Sequence, residues 1–297
     1  MDGICEWHLM AFWGTHYLIN EIKVATKREN TYLCMRIRIL LRYRFMEVNT
    51  SRFFIPENAV TETEGLDYGA ADLLIRTAEA LSQTIYQSVY IIDYFKQGFL
   101  YVSDNPLFLC GHAREEVLEM GYGFYMQHVP AEELDMLSEI NTAGFQFFNE
   151  IAKEERLGVS ISYDFHLMAD KGKFLINHKL TPLMLAKDGR VWLAVCVVSY
   201  SAQDKPGHIV VRKNNTNNFW HYSLEEHKWY QDEHPTLSEE EKAILLLSAR
   251  GLKMEEIAGR IFKSVDTVKF YKRRLFEKIG AKNITEALSF ATNNRLI

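Results

Sequence analysis

From residue 88 onward the spacing of apolar positions changes several times. In SVYIIDYFKQGFLYVSDNP two apolar runs flank Gln97-Gly98 and stop at Asp104-Asn105-Pro106, a turn signal, which predicts two strands. AREEVLEM and GFYMQH predict two short helices, and a longer helix is expected from Glu132 to about Glu150. Val159, Ile161, Tyr163, Phe165 and Leu167 then alternate with mostly polar residues, the period of a half-buried strand. KFLINHKLTPL and RVWLAVCVVSY follow as two more strands, joined at the hairpin signal Asp188-Gly189. HIVVRKNNTNNFWHYS predicts an added hairpin around an Asn-rich turn, and LEEHKWYQDEHP a linker.

The last sixty residues switch to helical spacing with clear punctuation. LSEEEKAILLLSARG opens on Ser238 with Glu241 three positions on, a capping box, and closes on Gly251. KMEEIAGRIF sets Met254, Ile257, Ala258, Ile261 and Phe262 on one helical face. Ser264 caps the next stretch, SVDTVKFYKRRLFEKIG, which ends on Gly280 with Lys278 in its last turn, where a cation suits the helix dipole. Asn283 and Glu286 repeat the capping pattern ahead of ALSFATNN. Four short helices with tight connections are expected. At about 100° per residue, Val268, Leu275 and Ile279 share one stripe of the third helix, with Tyr271 at its edge. Phe270, Arg273 and Glu277 fall opposite, flanked by Lys269 and Arg274.

Charge sharpens this picture. The chain of 297 residues has a formal charge of −5 and is 47% apolar and 25% charged, ordinary for a globular protein. The charge is unevenly placed: residues 236–297 hold twelve Lys and Arg against eight Asp and Glu, and residues 46–235 hold fifteen against twenty-seven. A basic tail that meets a polyanion, on an acidic body that does not, is the physical expectation. The four cysteines are scattered without redox or metal-ligand spacing, no apolar run approaches the ~20 residues of a membrane span, and no secretion signal opens the chain. A cytoplasmic location without membrane contact is expected.

At these residues the chain resembles a known family. Leu237-Ser238 with Glu241, Gly251-Leu252, Glu256-Ile257-Ala258, Ser264, Thr267-Val268-Lys269, Lys278-Ile279-Gly280 and Glu286-Ala287 follow, in order and spacing, the LuxR-type (GerE-type) helix-turn-helix of transcriptional regulators. The resemblance implies that the third helix is the recognition helix. Lys269, Phe270 and Arg273 would then face bases and nearby phosphates, with Ser264, Thr267, Lys272 and Arg274 completing the DNA-binding set. Tyr271, where a histidine is usual, and Ile284, where an arginine is common, depart from the family pattern. Upstream, two strands, several short helices and three antiparallel strands follow the order of a PAS domain, and YVSDNPLFLCGHAREEV resembles the stretch between its second strand and first helices.

The expected fold class is therefore α+β: a PAS-like five-stranded antiparallel sheet with flanking helices over 88–203, followed by an all-α four-helix helix-turn-helix domain over 236–297. Residues 46–87 form a helical lead-in and 204–235 the hairpin and linker. Residues 1–45, with the Arg-interleaved CMRIRILLRYRF, read as an extension outside the native protein, with Met46 as its start; an extra amphipathic strand or helix is the alternative.

Catalytic chemistry is not expected. There is no G-x-x-x-x-G-K-[ST] loop and no nucleophile elbow. His112, His128, His166 and His178 lack partners at metal-ligand spacing and are assigned to the surface or a satisfied core. Asp93 and Asp104 fit a receiver-type phosphorylation pocket poorly, Asp104 being read as a turn or cap, and Cys110 does not match the photosensing flavin motif. No cofactor or metal is assigned. The ring-rich sheet, with Phe99, Tyr101, Phe108, Phe124, Phe145, Phe147, Phe148, Tyr163, Phe165 and Trp192, suits either a packed core or a pocket for a small molecule. The expected partners are double-stranded DNA, a second copy of the chain through Thr285–Asn293, and a small molecule or protein at the PAS-like domain. The alternatives are a PAS interaction scaffold that does not bind DNA and a sigma-factor-like region-4 promoter reader.

Overall fold

The structure, a computed structural model, describes residues 50–61, 66–170, 172–214, 216, 218–233, 235–293 and 296–297. The extension read over 1–45 lies outside the described residues. A 3-10 turn at Ser51–Phe53 leads to helix α1 (Tyr68–Ser82), strands β1 (Ser88–Asp93) and β2 (Gly98–Val102), and helices α2 (Pro106–Leu109), α3 (Arg114–Met120), α4 (Gly123–His128) and α5 (Ala131–Glu150). Strands β3 (Val159–Ala169), β4 (Gly172–Leu185), β5 (Val191–Tyr200), β6 (Gly207–Lys213), β7 (Asn218–Ser223) and β8 (Lys228–Glu233) follow. Helices α6 (Glu239–Ala249), α7 (Met254–Arg260), α8 (Val265–Ile279) and α9 (Ile284–Asn293) complete the chain.

One antiparallel sheet runs in the order β2-β1-β5-β4-β3-β6-β7-β8. The five predicted PAS-like strands occupy the consecutive positions β2 to β3, so the α+β class holds. The sheet nevertheless continues for three strands beyond them. The predicted separate hairpin, β6 and β7, is added to the edge of β3 with Ile161 opposite Val211. The predicted linker contains β8, paired from Ser223–Lys228 to Asn218–Glu233. Its short polar run offers little strand signal. Pairing is secured instead by ring packing, with Trp229 4.9 Å from Phe147 of α5 and 5.0 Å from Tyr222 of β7.

The two faces of the sheet are covered differently. On one, Ala71 and Ala78 of α1 let that helix lie close on Val89, Ile91, Tyr101, Trp192 and Leu193. On the other, α2 to α5 enclose the main core. Helix α5 turns Leu134, Leu137, Ile140 and Phe148 inward. At Gly144 it approaches β3 so closely that a Cβ would stand 3.0 Å from Ile161 Cδ1. The buried Glu133 pins the same helix to β3, accepting His166 N–H at 2.7 Å and bonding His166 Nδ1 at 2.6 Å. The capping role expected at Asp104 falls to Asn105, whose side chain accepts from Leu107 N–H; Asp104 instead lies 3.4 Å from Arg114. Asp93 holds the following turn, accepting from the N–H groups of Phe95 and Lys96 and from the Tyr68 hydroxyl.

In the helical tail the predicted punctuation is observed. Ser238 and Glu241 form a reciprocal capping box. Ser264 accepts from Thr267 N–H, and Gly280 closes α8 in the left-handed region at φ +66°. Asn283 accepts from Glu286 N–H. Val268, Leu275 and Ile279 are the buried residues of α8.

Candidate nucleic-acid interface and sensor cavity

Helix α8 follows α7 through a four-residue gap and then presents its outer face. The gap turns on Phe262, which sits at φ +54° and is 93% exposed. A left-handed bulky residue is uncommon and usually marks a tight turn. The periodicity had assigned Phe262 to the apolar face of the preceding helix, but the turn swings it into solvent. Ser264 and Thr267 stand at the N-terminus of α8, their hydroxyls 2.8 Å apart. Free N–H groups and the helix dipole make such a terminus favourable for phosphate.

Lys269, Lys272 and Arg273 border one shallow groove together with Met254, Phe276 and Glu277. The Arg273 guanidinium lies 5.9 Å from the Phe270 ring centre and 3.8 Å from Glu277, and Lys269 lies 3.6 Å from Asp266. These contacts are solvent-exposed and weak, so the cations remain free to exchange partners. Phe270, 49% exposed, is an apolar island among them. Lys272 is half-buried, its Nζ 5.7 Å above the Phe276 ring. Arg274 is exposed outside the groove, and its charge acts on Glu241 of α6. The structure thus brings Lys269, Phe270, Lys272 and Arg273 together, with Ser264 and Thr267 at the helix end, and places Arg274 on the other flank.

The second feature is an apolar cavity of about 80 Å³ between the sheet and α4–α5. Of the predicted rings, Phe145, Phe147, Phe148, Tyr163 and Phe165 line it. Phe99, Phe108 and Phe124 pack in the core beside it, and Tyr101 and Trp192 face α1 instead. Phe53, Tyr94, Tyr122, Tyr125 and His178, absent from the predicted set, also line it. Phe53 arrives from the lead-in segment, whose carbonyls are held by Asn58, Asn141 and Arg190.

His178 corrects the expectation of a satisfied core histidine. Its Nε2 lies 2.5 Å from the Tyr90 hydroxyl, which also pairs with the Tyr125 hydroxyl, but its buried Nδ1 has no hydrogen-bond partner. Burial pushes the imidazole down to about 3, so the ring is neutral. The surrounding Tyr90, Tyr94, Tyr125 and Tyr163 are raised well above the usual phenol range, first by burial and then by neighbouring groups. The result is one unpaired nitrogen among neutral polar tips in an otherwise apolar space. His166 is pinned by Glu133, and His112 and His128 meet each other. Among the described residues no group of three or more His, Cys, Asp or Glu is arranged to hold a metal ion, and no helix is long and apolar enough to cross a membrane.

Residues 235–291 match the family GerE, bacterial regulatory proteins of the luxR family. The positive transcription regulator of virulence factors BvgA of Bordetella pertussis is 38% identical over 60 residues, 20% of this chain and 29% of BvgA. The DNA-binding transcriptional activator DevR/DosR of Mycobacterium tuberculosis is 40% identical over 62 residues, 21% of this chain and 29% of that protein. The chain therefore spans under a third of the length of the curated relatives it matches. Among solved structures, a VqmA dimer of Vibrio cholerae is 16% identical, with 78% of this chain and 89% of that chain covered at a TM-score of 0.29. The PAS domain of a Colwellia psychrerythraea protein is 16% identical, covering 44% and 98% at a TM-score of 0.31. Both scores are too low to equate the folds along their length.

Proposed function

With its C-terminal residues forming a luxR-type helix-turn-helix, we propose that this chain is a cytoplasmic transcription regulator that binds double-stranded DNA as a homodimer under the control of its sheet domain. The observation that carries the reading is α8: a helix anchored by Val268, Leu275 and Ile279 whose exposed side carries Lys269, Phe270 and Arg273, with the half-buried Lys272 at its border. An α-helix fits the major groove, phosphates draw Lys and Arg, and an exposed ring among cations can meet a thymine methyl. Lys269, Phe270 and Arg273 are assigned to base edges and their nearest phosphates. Ser264, Thr267 and Lys272 are assigned to the backbone, and Arg274 to phosphates beyond the groove.

The domain limits supported by this reading are a lead-in over 46–87, a sensor over 88–203, a hairpin and connecting strand over 204–235, and the reader over 236–297. In the sensor, the cavity suits a compact apolar molecule with one polar group to satisfy His178 Nδ1. Its volume is roughly half that of an engineered cavity of ~150 Å³ that admits benzene. The chain is assigned a regulatory and not a catalytic role.

The test is binding to genomic fragments across a salt series, followed by footprinting on the tightest. A regulator of this type shows log K falling linearly with log salt and a footprint over two inverted half-sites about one helical turn apart. Salt-independent binding, or none, removes the reading.

A further inference from the structure

The geometry points to a transition-metal site formed by the half-buried His112 and the buried His128 of the sheet domain, away from both the cavity and α8. The two rings meet nearly perpendicular, at 80°, with their Nε2 atoms 2.9 Å apart. His112 follows α2 through the left-handed Cys110 and Gly111, at φ +51° and +94°. His128 ends α4, where it stacks on Phe124 with ring centres 4.7 Å apart. The two positions are sixteen apart in the chain, and the fold brings their rings together.

Hydrogen bonding fixes how the two rings are protonated. His128 Nδ1 lies 2.6 Å from the Met168 carbonyl, which can only accept, so Nδ1 carries the proton and Nε2 presents its lone pair. His112 must then offer Nε2–H to it. In a neutral ring that leaves the bare Nδ1 of His112 facing Glu116 Oε2 at 3.5 Å, lone pair against carboxylate. A second proton on His112 relieves this contact, and so does a metal ion in place of the shared proton, which leaves the ring uncharged. Both Nε2 atoms become ligands, and the His112 proton moves to Nδ1, where Glu116 accepts it. Each imidazole is then backed by an acceptor on its far nitrogen, the usual second support of metal-bound histidine.

Two further observations agree. The Asp170 carboxylate borders the same loop, its Oδ2 3.7 Å from where a Cβ on Gly111 would stand, and its negative charge acts on His128. His112 is half-buried, which leaves water a path to the remaining coordination positions. With metal–nitrogen bonds of about 2.0–2.1 Å, a 2.9 Å separation sets a bite angle of about 90°. That is the cis angle of square-planar or octahedral coordination, which favours Ni²⁺ or Cu²⁺ over tetrahedral Zn²⁺.

The experiment is calorimetric titration of the untagged full chain with NiCl₂ at pH 7.5, beside His112→Ala, Glu116→Gln and a distant control, His221→Ala. The expected result is one Ni²⁺ per chain, an affinity at least about tenfold lower in His112→Ala, and a loss of roughly tenfold in Glu116→Gln, which keeps the helix cap but weakens the support. His221→Ala should match the wild type. Should His112→Ala fold poorly by circular dichroism, His112→Asn takes its place. Absence of one-to-one binding in the wild type, or equal affinity after loss of the His112 ring, overturns the site.

Discussion

Arg273 and Lys272 are neighbours on α8 with different reach. Arg273 stands on the outer side of the helix, and its guanidinium can pair bidentately with guanine O6 and N7. Arg273→Ala is expected to weaken specific binding by about 1–3 kcal/mol and to relax preference at one base position, read from competition between the footprinted site and random DNA. An unchanged ratio of specific to random affinity would remove the base-reading role. Lys272 lies lower, half-buried above Phe276, where its ammonium reaches phosphate more readily than a base edge. Lys272→Ala should weaken both DNAs about equally and lower the salt slope by about one. Neither substitution touches Val268, Leu275 or Ile279, so thermal melting should register little change.

Among the elements, α6 and α8 are tied by a buried charge as well as by apolar packing. Lys278 Nζ donates to Glu241 Oε2 at 2.7 Å and to the Thr236 carbonyl at 3.0 Å, while the same carboxylate oxygen accepts Ser238 N–H at 2.9 Å. Burial alone would raise the Glu241 carboxyl. The Lys278 ammonium, the Ser238 N–H and the nearby Arg274 outweigh it and hold the group below its usual range. A depressed carboxyl stabilises the fold above its unfolded pKa, and that contribution fades as pH falls through the folded value. Lys278→Met leaves the buried carboxylate without its strongest partner. The variant should lose about 1–3 kcal/mol near neutrality by urea unfolding, and the loss should shrink as pH falls through the depressed folded value of Glu241. A pH-independent difference would mean that the methylene stem of Lys278, not its charge, carries the contact.

At the scale of the molecule, the sheet domain should be acid-sensitive because it buries neutral histidines. The folded pKa of His178 lies far below that of an unfolded histidine, so between about pH 6.5 and 3 the unfolded chain binds one more proton at this position. Stability therefore declines as pH falls through this window, by up to about 1.4 kcal/mol per pH unit from His178. His128, also lowered, adds its own share. His178→Gln should flatten the dependence by close to one proton, measured from urea midpoints at successive pH values; an unaltered slope would show that His178 is not the group that titrates. The ion pair between Asp204 and Lys282, 3.0 Å apart, joins the sheet domain to the helical tail, but both groups are exposed and the contact should be screened by salt.

The tail was legible almost residue by residue because its signals are local. Caps at Ser238, Ser264 and Asn283, the glycines at 251 and 280, and the stripe of Val268, Leu275 and Ile279 all act within one or two helical turns. The class of the sheet domain was legible for the same reason, since strand period and turn residues operate over a few positions. What the sequence alone could not determine depends on contacts between distant segments. β8 becomes a strand because Trp229 finds Phe147, about eighty residues away. Phe53 lines the cavity because Asn58, Asn141 and Arg190 hold the lead-in segment against the sheet. His178 is left with an unpaired nitrogen, and His112 faces His128, because the packing of helices on the sheet fixes which side chains share a space. Local patterns specify which elements form; burial and hydrogen bonding among remote residues decide what those elements enclose.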